Sequence, residues 1–473
     1  MSSRIKELAT NTALFSLANF GSKILVFLMV PLYTTVLSTS EYGIANIVQT
    51  TGMMLFPILT ISIADAVLRF SYIKELDTRK VFSVGMWITI LSVLIVIPIT
   101  LFFSYLDFFR EIGIYIIFIP LYFLGEAVAK FLNYFARGIG KVKVSATYGL
   151  LNTFLLVGFN LLFLLYFKLG VTGYLLSFVL SYLFSSLYVA LRCKVWRYAV
   201  LHVESGMYKE MAAYSTPLVP NQLSWWLLSS FNNFYILYAL GTAQVGLYTA
   251  SMRIPTILTV LCHIFSQAWL LSVLRDYGSK ENTNFIRSVY RRFFSVLVVM
   301  TGVFILSAYP LAKLLLKGDF SSSWYIIPFL FISVFHGALS GFYGSIFSAE
   351  KKNKILFVST LFGASISVIL VILFIKDWGL SSVSLAAMIG YFVVCVMRSE
   401  MVKKYIDIGL KTRIMFLQTA ILAIEAVCVM NECYMAASVA ILSLMVINYR
   451  QLLSMFVYVK DKVPSIINRV KKH

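Results

Sequence analysis

Two cations stand at positions where the flanking residues supply no water. Lys23 lies in an apolar run that starts near residue 10, about 20 Å from the inner polar end at ~1.5 Å per helical residue. Arg253, two residues before Pro255, lies about 10 Å inside the outer end of a later run by the same measure. A charge at that depth costs roughly 3 kcal/mol or more unless it meets a partner or a wet cavity, so both are candidate binding groups. A guanidinium presents a planar fork suited to bidentate phosphate contacts, whereas an ammonium acts as a compact point charge. A cavity holding both selects anionic cargo. The competing readings are an ion pair between Lys23 and an acid on a neighbouring helix, and outward snorkelling of Arg253.

Other polar groups are buried in the same pattern. Asn19 shares the first run with Lys23. The run 215–239 holds Pro217, Pro220, Asn221, Gln222, Trp225, Trp226, Asn232 and Asn233, and prolines at such depth are tolerated where neighbours or cavity waters satisfy the freed carbonyls. Trp225 and Trp226 lie too deep for an interface belt, so one of them lines a cavity, where its face suits a sugar or a lipid chain, or both pack in the core. Glu126 and Lys130 are four apart and therefore share a helix face, which fits a structural pair or an ion-coupling pair. Asp65 and Arg69 repeat that spacing nearer to water. Glu425 has no local partner; it faces a groove or is protonated. His336 is a proton relay or a hydrogen-bonded core histidine.

These side chains need a scaffold, and the composition says which kind. Of 473 residues 60% are hydrophobic and 13% charged, with a mean hydropathy of +0.86, a balance that excludes a disordered or disulfide-stapled chain and points to lipid as solvent. Polar punctuation cuts out fourteen stretches of about 20 residues, the length that crosses about 30 Å of hydrocarbon. The first spans 10–37, the seventh 215–239, the eighth 246–274, the eleventh and twelfth 355–375 and 380–402, and the last 433–449. With the amino terminus inside, inner segments carry 32 of the 40 Lys and Arg and outer loops four, Arg110, Lys168, Lys317 and Lys376. That bias puts both termini in the cytoplasm and explains the net charge of +20 without nucleic acid. The five cysteines show no C-x-x-C spacing, so neither a metal site nor a disulfide framework is expected. No G-x-x-x-x-G-K-[ST], H-E-x-x-H or G-x-S-x-G occurs, and the outer loops are too short for a catalytic domain. We expect no enzyme, no catalytic residue, no cofactor and no metal.

The chain also echoes itself. Leu37-Ser38-Thr39-Ser40-Glu41-Tyr42-Gly43 returns as Leu240-Gly241-Thr242-Ala243-Gln244-Val245-Gly246, and Gly170-Val171-Thr172-Gly173 through Tyr182 returns as Gly379-Leu380-Ser381-Ser382 through Tyr391. The echoes predict an all-α membrane protein of two six-helix bundles, 1–200 and 215–402, related by an axis along the membrane normal. They are joined by a cytoplasmic linker, 201–214, and followed by helices thirteen and fourteen with a basic tail, 403–473. The inner segment 192–214 is read as one amphipathic helix or a plain linker. Two similar bundles can rock about a midplane site, which is a carrier architecture; a helical scaffold for other proteins is the alternative.

The opening block NTALFSLANFGSKILVFLMVPLYTTVLSTSEYG and its partner ALGTAQVGLYTASMRIP resemble bacterial polysaccharide exporters of the Wzx type, in the superfamily that also holds lipid II flippases and multidrug extruders. The resemblance covers residues 8 to 450. It implies a MATE-like V-shaped cavity and a flippase of the bacterial inner membrane. The cargo would be an undecaprenyl-diphosphate-linked oligosaccharide for capsule, O-antigen (lipopolysaccharide) or exopolysaccharide assembly. By helix and depth it implies Lys23 and Arg253 at the diphosphate, with Asn19, Asn221, Gln222, Trp225 and Asn232 towards the sugars. Glu126, Lys130, Asp65 and Glu425 remain as coupling or structural charges, and helices thirteen and fourteen as a groove for the lipid tail. Implied partners are the bilayer, a polysaccharide polymerase and a chain-length regulator. A multidrug extruder would instead favour cationic cargo and acids in the cavity. A membrane glycosyltransferase or polymerase would need acidic catalytic residues and larger outer loops.

Overall fold

The computed structural model describes residues 21–470 other than 22, 74, 201–202, 276–279, 351, 407 and 410–411. All regular structure among them is helical. Among the described residues ten helices are long and apolar enough to cross a bilayer, or eleven if those on either side of Ile254-Pro255 form one broken span. The fourteen expected runs divide the chain more finely. The helix Asn353–Val402 accounts for two of them, because it breaks at Gly379, whose φ of 52° suits a residue without Cβ. The helix Val219–Leu240 is a membrane-length element whose amides and hydroxyls hold its hydropathy down.

By packing, the chain forms two compact units, Met1–Arg253 with Leu315–Ser321, and Ile254–Leu314 with Ser322–His473. This partition follows contacts, whereas the 1–200 and 215–402 bundles follow sequence similarity, so the two divisions answer different questions.

The first unit contains α1 (Lys23–Val36), α2 (Thr39–Leu59), α3 (Ile63–Phe70), α4 (Thr78–Ser104), α5 (Phe118–Gly138), α6 (Val142–Asn160), α7 (Gly170–Cys193), α8 (Ser205–Ser215), α9 (Val219–Leu240) and α10 (Thr242–Arg253). α2 starts at a capping box: Ser38 Oγ accepts from the Glu41 amide while the Glu41 carboxylate accepts from the Ser38 amide at 2.8 Å. α4 exposes Leu91, Leu94, Ile97 and Leu101, an apolar outer face that a lipid surround makes favourable. The inner segment does form a helix, α8, and it is not a free linker. Met211 is fully buried with Ile63, Val67, Phe70 and Phe135 in one core cluster, and Tyr214 stacks edge-on against Phe70.

The second unit contains α11 (Thr256–Arg275), α12 (Lys280–Leu306), α13 (Ala308–Leu315, whose last residue belongs to the first unit), α14 (Ile327–Ala349), α15 (Asn353–Val402), α16 (Thr412–Met430) and α17 (Tyr434–Val470). The two halves of α15 fold back on each other through Gly363 and Gly390. A Cβ on Gly363 would stand 2.7 Å from the Gly390 carbonyl oxygen, and one on Gly390 would stand 2.9 Å from that of Gly363. The second sequence echo has a counterpart in geometry: Gly170 and Gly379 share a left-handed φ, 55° and 52°. Tyr182 packs on Gly125 of α5 as Tyr391 packs on Gly337 of α14.

Candidate functional site

The first sequence echo becomes a single crossing within the first unit. A Cβ on Gly43 of α2 would overlap the Thr242 carbonyl of α10, and one on Gly246 of α10 would overlap the Thr39 carbonyl of α2. Each helix therefore presents a small residue to the other's backbone, four residues beyond its own residue whose carbonyl the partner glycine covers, the arrangement by which membrane helices approach closely. Ser40 Oγ and Thr242 Oγ1 meet at 2.8 Å across the same seam. The copies differ in where the acid at the helix start comes from. Glu41 caps its own helix, whereas the equivalent residue of the second copy is Gln244, and the acid there comes from Glu111, whose carboxylate accepts from the Thr242 amide at 2.9 Å. A carboxylate on this first turn also meets the positive end of the helix dipole.

Arg253 ends α10 just before the helix breaks at Ile254-Pro255, and it is partly buried. Its guanidinium sits among the phenols of Tyr42, Tyr174 and Tyr33. Those three rings come from α2, α7 and α1 and pack at centroid distances of 4.9 to 6.2 Å, each no more than 3% exposed. Tyr42 also meets Phe320 edge-on at 5.8 Å. Lys23 stands exposed at the start of α1, ten residues before Tyr33, roughly 15 Å along the axis at ~1.5 Å per residue. Asn19 lies outside the described residues.

On α9 the polar residues divide by role. Gln222 donates from Nε2 to Asp65 Oδ2 at 3.1 Å, and Trp226 donates to the Thr50 carbonyl at 3.0 Å, so both tie α9 to neighbouring helices. Asn232 and Asn233 are buried. Asn221 and Trp225 are exposed, Trp225 at 53%, and these are the α9 candidates free to meet a ligand.

The expected charge pairs are not formed. Lys130 turns its ammonium over the Phe56 ring at 4.1 Å, while Glu126 is left with a buried Oε2 lacking a hydrogen-bond partner among the described residues. A cation over an aromatic face keeps part of its electrostatic stabilisation without an acid, so i,i+4 spacing alone does not secure the pair. Asp65 is taken by Gln222, and Arg69 lies over Tyr214 at 4.4 Å. In the second unit Glu425 is fully buried, with no hydrogen-bond partner for either carboxylate oxygen among the described residues, and it points at Gly302 of α12. Ionising an isolated carboxyl in such surroundings carries a large desolvation cost. His336 is a core histidine, bonded to the Ile332 carbonyl at 2.9 Å and to Thr419 Oγ1 at 3.1 Å.

Sequence reading missed two residues. Glu111 was one charge in an outer loop. Arg398, counted with the inner-loop cations, is 4% exposed and donates to Ser359 Oγ, Thr360 Oγ1 and the carbonyls of Ser340 and Leu356. Two of the three tyrosines did leave a signal, because Tyr42 lies in the first echo and Tyr174 directly follows the glycine pair of the second.

Residues 8–274 match the model of a family described as polysaccharide biosynthesis protein. No curated protein matches the chain. Among solved structures it is similar to the lipid II flippase MurJ in an inward closed conformation, at 15% identity and a TM-score of 0.61, over 93% of this chain and 100% of that one. It is also similar to an inward-facing multidrug resistance transporter of the MATE family and MOP superfamily, at 19% identity and a TM-score of 0.59, over 81% and 99%. A third is a MOP superfamily transporter from Pyrococcus furiosus, described as having a binding pocket of reverse polarity, at 18% identity and a TM-score of 0.50, over 85% and 94%. At these identities the likeness shows the fold alone, the one shared by these MATE-family and MurJ structures.

Proposed function

We propose, from the premise that this chain belongs to the polysaccharide biosynthesis protein family, that it flips an undecaprenyl-diphosphate-linked oligosaccharide from the inner to the outer leaflet of a bacterial cytoplasmic membrane. The cargo would feed capsule, O-antigen or exopolysaccharide assembly, with a polymerase and a chain-length regulator acting downstream. The observation that carries the reading is Arg253: a guanidinium ringed by phenols at a proline break in a membrane helix. Phenols and a guanidinium together offer several donors to phosphate oxygens and an aromatic wall for a sugar ring. Lys23 and Arg253 together hold the diphosphate in this reading, Lys23 as an exposed point charge at the start of α1 and Arg253 as the planar fork at the end of α10. Trp225 and Asn221 meet the sugars, Asn232 supports them from within, and Gln222 braces α9 through Asp65. In this reading the close crossing of α2 and α10 is the seal that alternating access requires on one side.

The test uses cells that depend on this chain for surface polysaccharide. Lys23→Ala is expected to remove the polysaccharide and to accumulate lipid-linked oligosaccharide, with wild-type amounts of protein in the membrane. Arg253→Lys keeps the charge without the fork and is expected to lower export about tenfold, the worth of roughly one lost charge-assisted hydrogen bond. Normal polysaccharide in both variants removes the diphosphate reading.

A further inference from the structure

The turn that joins α16 to α17 carries cysteine at two positions, Cys428 and Cys433, and the backbone brings those positions together. The Cys433 amide donates to the Cys428 carbonyl at 2.8 Å, the Glu432 amide donates to the Val429 carbonyl at 3.0 Å, and Glu432 sits at φ +60°. This is the paired bonding of a Schellman turn around a left-handed residue, in which the side chains of the first and last residues approach each other. Such a φ is sterically costly for a residue with a Cβ, so the turn is held by its bonds rather than by the freedom of glycine.

The same bonds limit how far apart the two cysteines are. The Cα of Cys433 lies ~1.5 Å from its own nitrogen and that of Cys428 ~2.4 Å from its own carbonyl oxygen, so with 2.8 Å between those atoms the Cα separation is at most about 6.7 Å. Disulfides span Cα separations of about 4.4–6.8 Å. Cys433 is exposed, its thiol turned back over the turn to the Asn431 carbonyl at 3.5 Å, and Cys428 is half-buried on the last turn of α16. With the backbone already in range, a choice among staggered rotamers is what remains.

Charge places this turn in the membrane. The same long bond ends α5, from Lys141 to Ala136, and α14, from Lys352 to Phe347, each at 2.8 Å, and there the last residue is a lysine. Around α16 the pattern is inverted: Lys403, Lys404, Lys411 and Arg413 lie at its start, Arg450 lies well into α17, no Lys or Arg occurs from 414 to 449, and the turn carries Glu432. The preference of Lys and Arg for the inside therefore puts the cysteine pair outside. Thiol pairs beyond the cytoplasmic membrane become oxidised, whereas cytosolic ones are kept reduced.

We propose that Cys428 and Cys433 form a disulfide on the outer side of the membrane, which ties the last turn of α16 to the residue before α17. One bond across one turn is less than the framework that the spacing of the five cysteines argues against. The oxidant is a protein disulfide of that compartment. The Cys433 thiolate attacks one of its sulfurs and displaces the other; the Cys428 thiolate then attacks the Cys433 sulfur and displaces the donor. One S–S bond breaks and one forms, and two electrons and two protons pass to the donor, which leaves as a dithiol. The bond fixes the direction in which α17 departs from α16. It rests on the orientation of the chain and is independent of the cargo.

The experiment uses the full chain in aerobically grown cells, quenched with acid to stop thiol exchange. Trypsin cutting after Arg413 and Arg450 leaves both sulfurs on one peptide with no third cysteine. Before reduction this peptide is expected to be lighter by two hydrogens and to take no alkyl group; after reduction it is expected to take two. Two alkyl groups without reduction would overturn the proposal, and so would a mass that joins either sulfur to a different cysteine. In the Cys428→Ser variant, Cys433 is expected to react with a membrane-impermeant maleimide while the cytoplasmic membrane is intact. Reaction only after that membrane is opened would put the turn inside and overturn the proposal as well. Glu432→Pro removes both the left-handed φ and the amide that donates to Val429, and is expected to leave nearly all of the peptide as free thiols. A bond formed as fully as in the wild type would show that the turn does not bring the sulfurs together, and would overturn the geometry on which the proposal stands.

Discussion

Gly246→Val is expected to abolish surface polysaccharide. The position admits no Cβ, because that atom would overlap the Thr39 carbonyl of the facing helix, and a backbone oxygen cannot rotate away as a side chain can. Relief requires α2 and α10 to separate, which breaks the 2.8 Å contact of Ser40 with Thr242 and lifts Gly43 off the Thr242 carbonyl. Overpacking of this kind costs about 1–3 kcal/mol, enough to open a seam without unfolding a membrane protein of this size. Gly43→Val is expected to match it, because the two contacts are reciprocal. Gly149→Ala serves as the control, since no atom lies within 4 Å of a Cβ there. A sharper version asks whether the seam must open. The Ser40→Cys/Thr242→Cys pair, in a Cys433→Ser background, brings two sulfurs within bonding reach. Oxidation is expected to stop export and a reductant to restore it. Full export with the bridge closed would mean that the α2 and α10 crossing is a fixed strut, and the alternating-access reading would lose its outer seal.

The parts of this molecule that sequence made legible are those whose cause is local or periodic. Lipid-length apolar runs and the paired echoes each follow from a rule that acts along the chain. The echoes pointed to the residues that form the glycine crossing because close packing of backbones leaves a compositional mark. What stayed hidden depends on partners distant in sequence. Glu111 caps a helix that begins 131 residues later, replacing the acid lost where Gln244 stands for Glu41. Lys130 chose the Phe56 ring over Glu126, a choice that only tertiary packing can decide. Arg398 looked like any basic residue at the inner end of a membrane span; the paired spans 355–375 and 380–402 foretold the fold-back of α15, but nothing in the sequence names Ser340, Leu356, Ser359 and Thr360 as its partners. Depth along one helix gave Lys23 and Arg253 as unusual positions but not their separation, which follows from Tyr33 lying beside Arg253.

Arg398→Ala is expected to destabilise the second unit by about 3–5 kcal/mol, through the loss of a large buried side chain and of its ties between helices. The guanidinium bonds Ser359 Oγ at 2.9 Å, the Ser340 carbonyl at 3.0 Å, the Leu356 carbonyl at 3.2 Å and Thr360 Oγ1 at 2.8 Å, which fastens α14 and both halves of α15 at one point. Two effects contribute, and substitutions separate them. Methionine keeps most of the stem, and it also relieves the desolvation that a buried cation carries. The acceptors it abandons have other options, because the carbonyls can accept within their own helices and Ser359 Oγ already contacts the Leu356 carbonyl at 3.1 Å. Arg398→Met is therefore expected to cost less than half of what alanine costs. Lysine keeps the charge but cannot span four acceptors with one ammonium, so it leaves a buried cation with fewer partners and ranks close to alanine. Thermal midpoints of the purified variants in one detergent test the order, alanine and lysine low, methionine near the wild type. If methionine falls as far as alanine, the hydrogen bonds rather than the filled volume hold this junction. If alanine matches the wild type, the second unit does not depend on the junction at all.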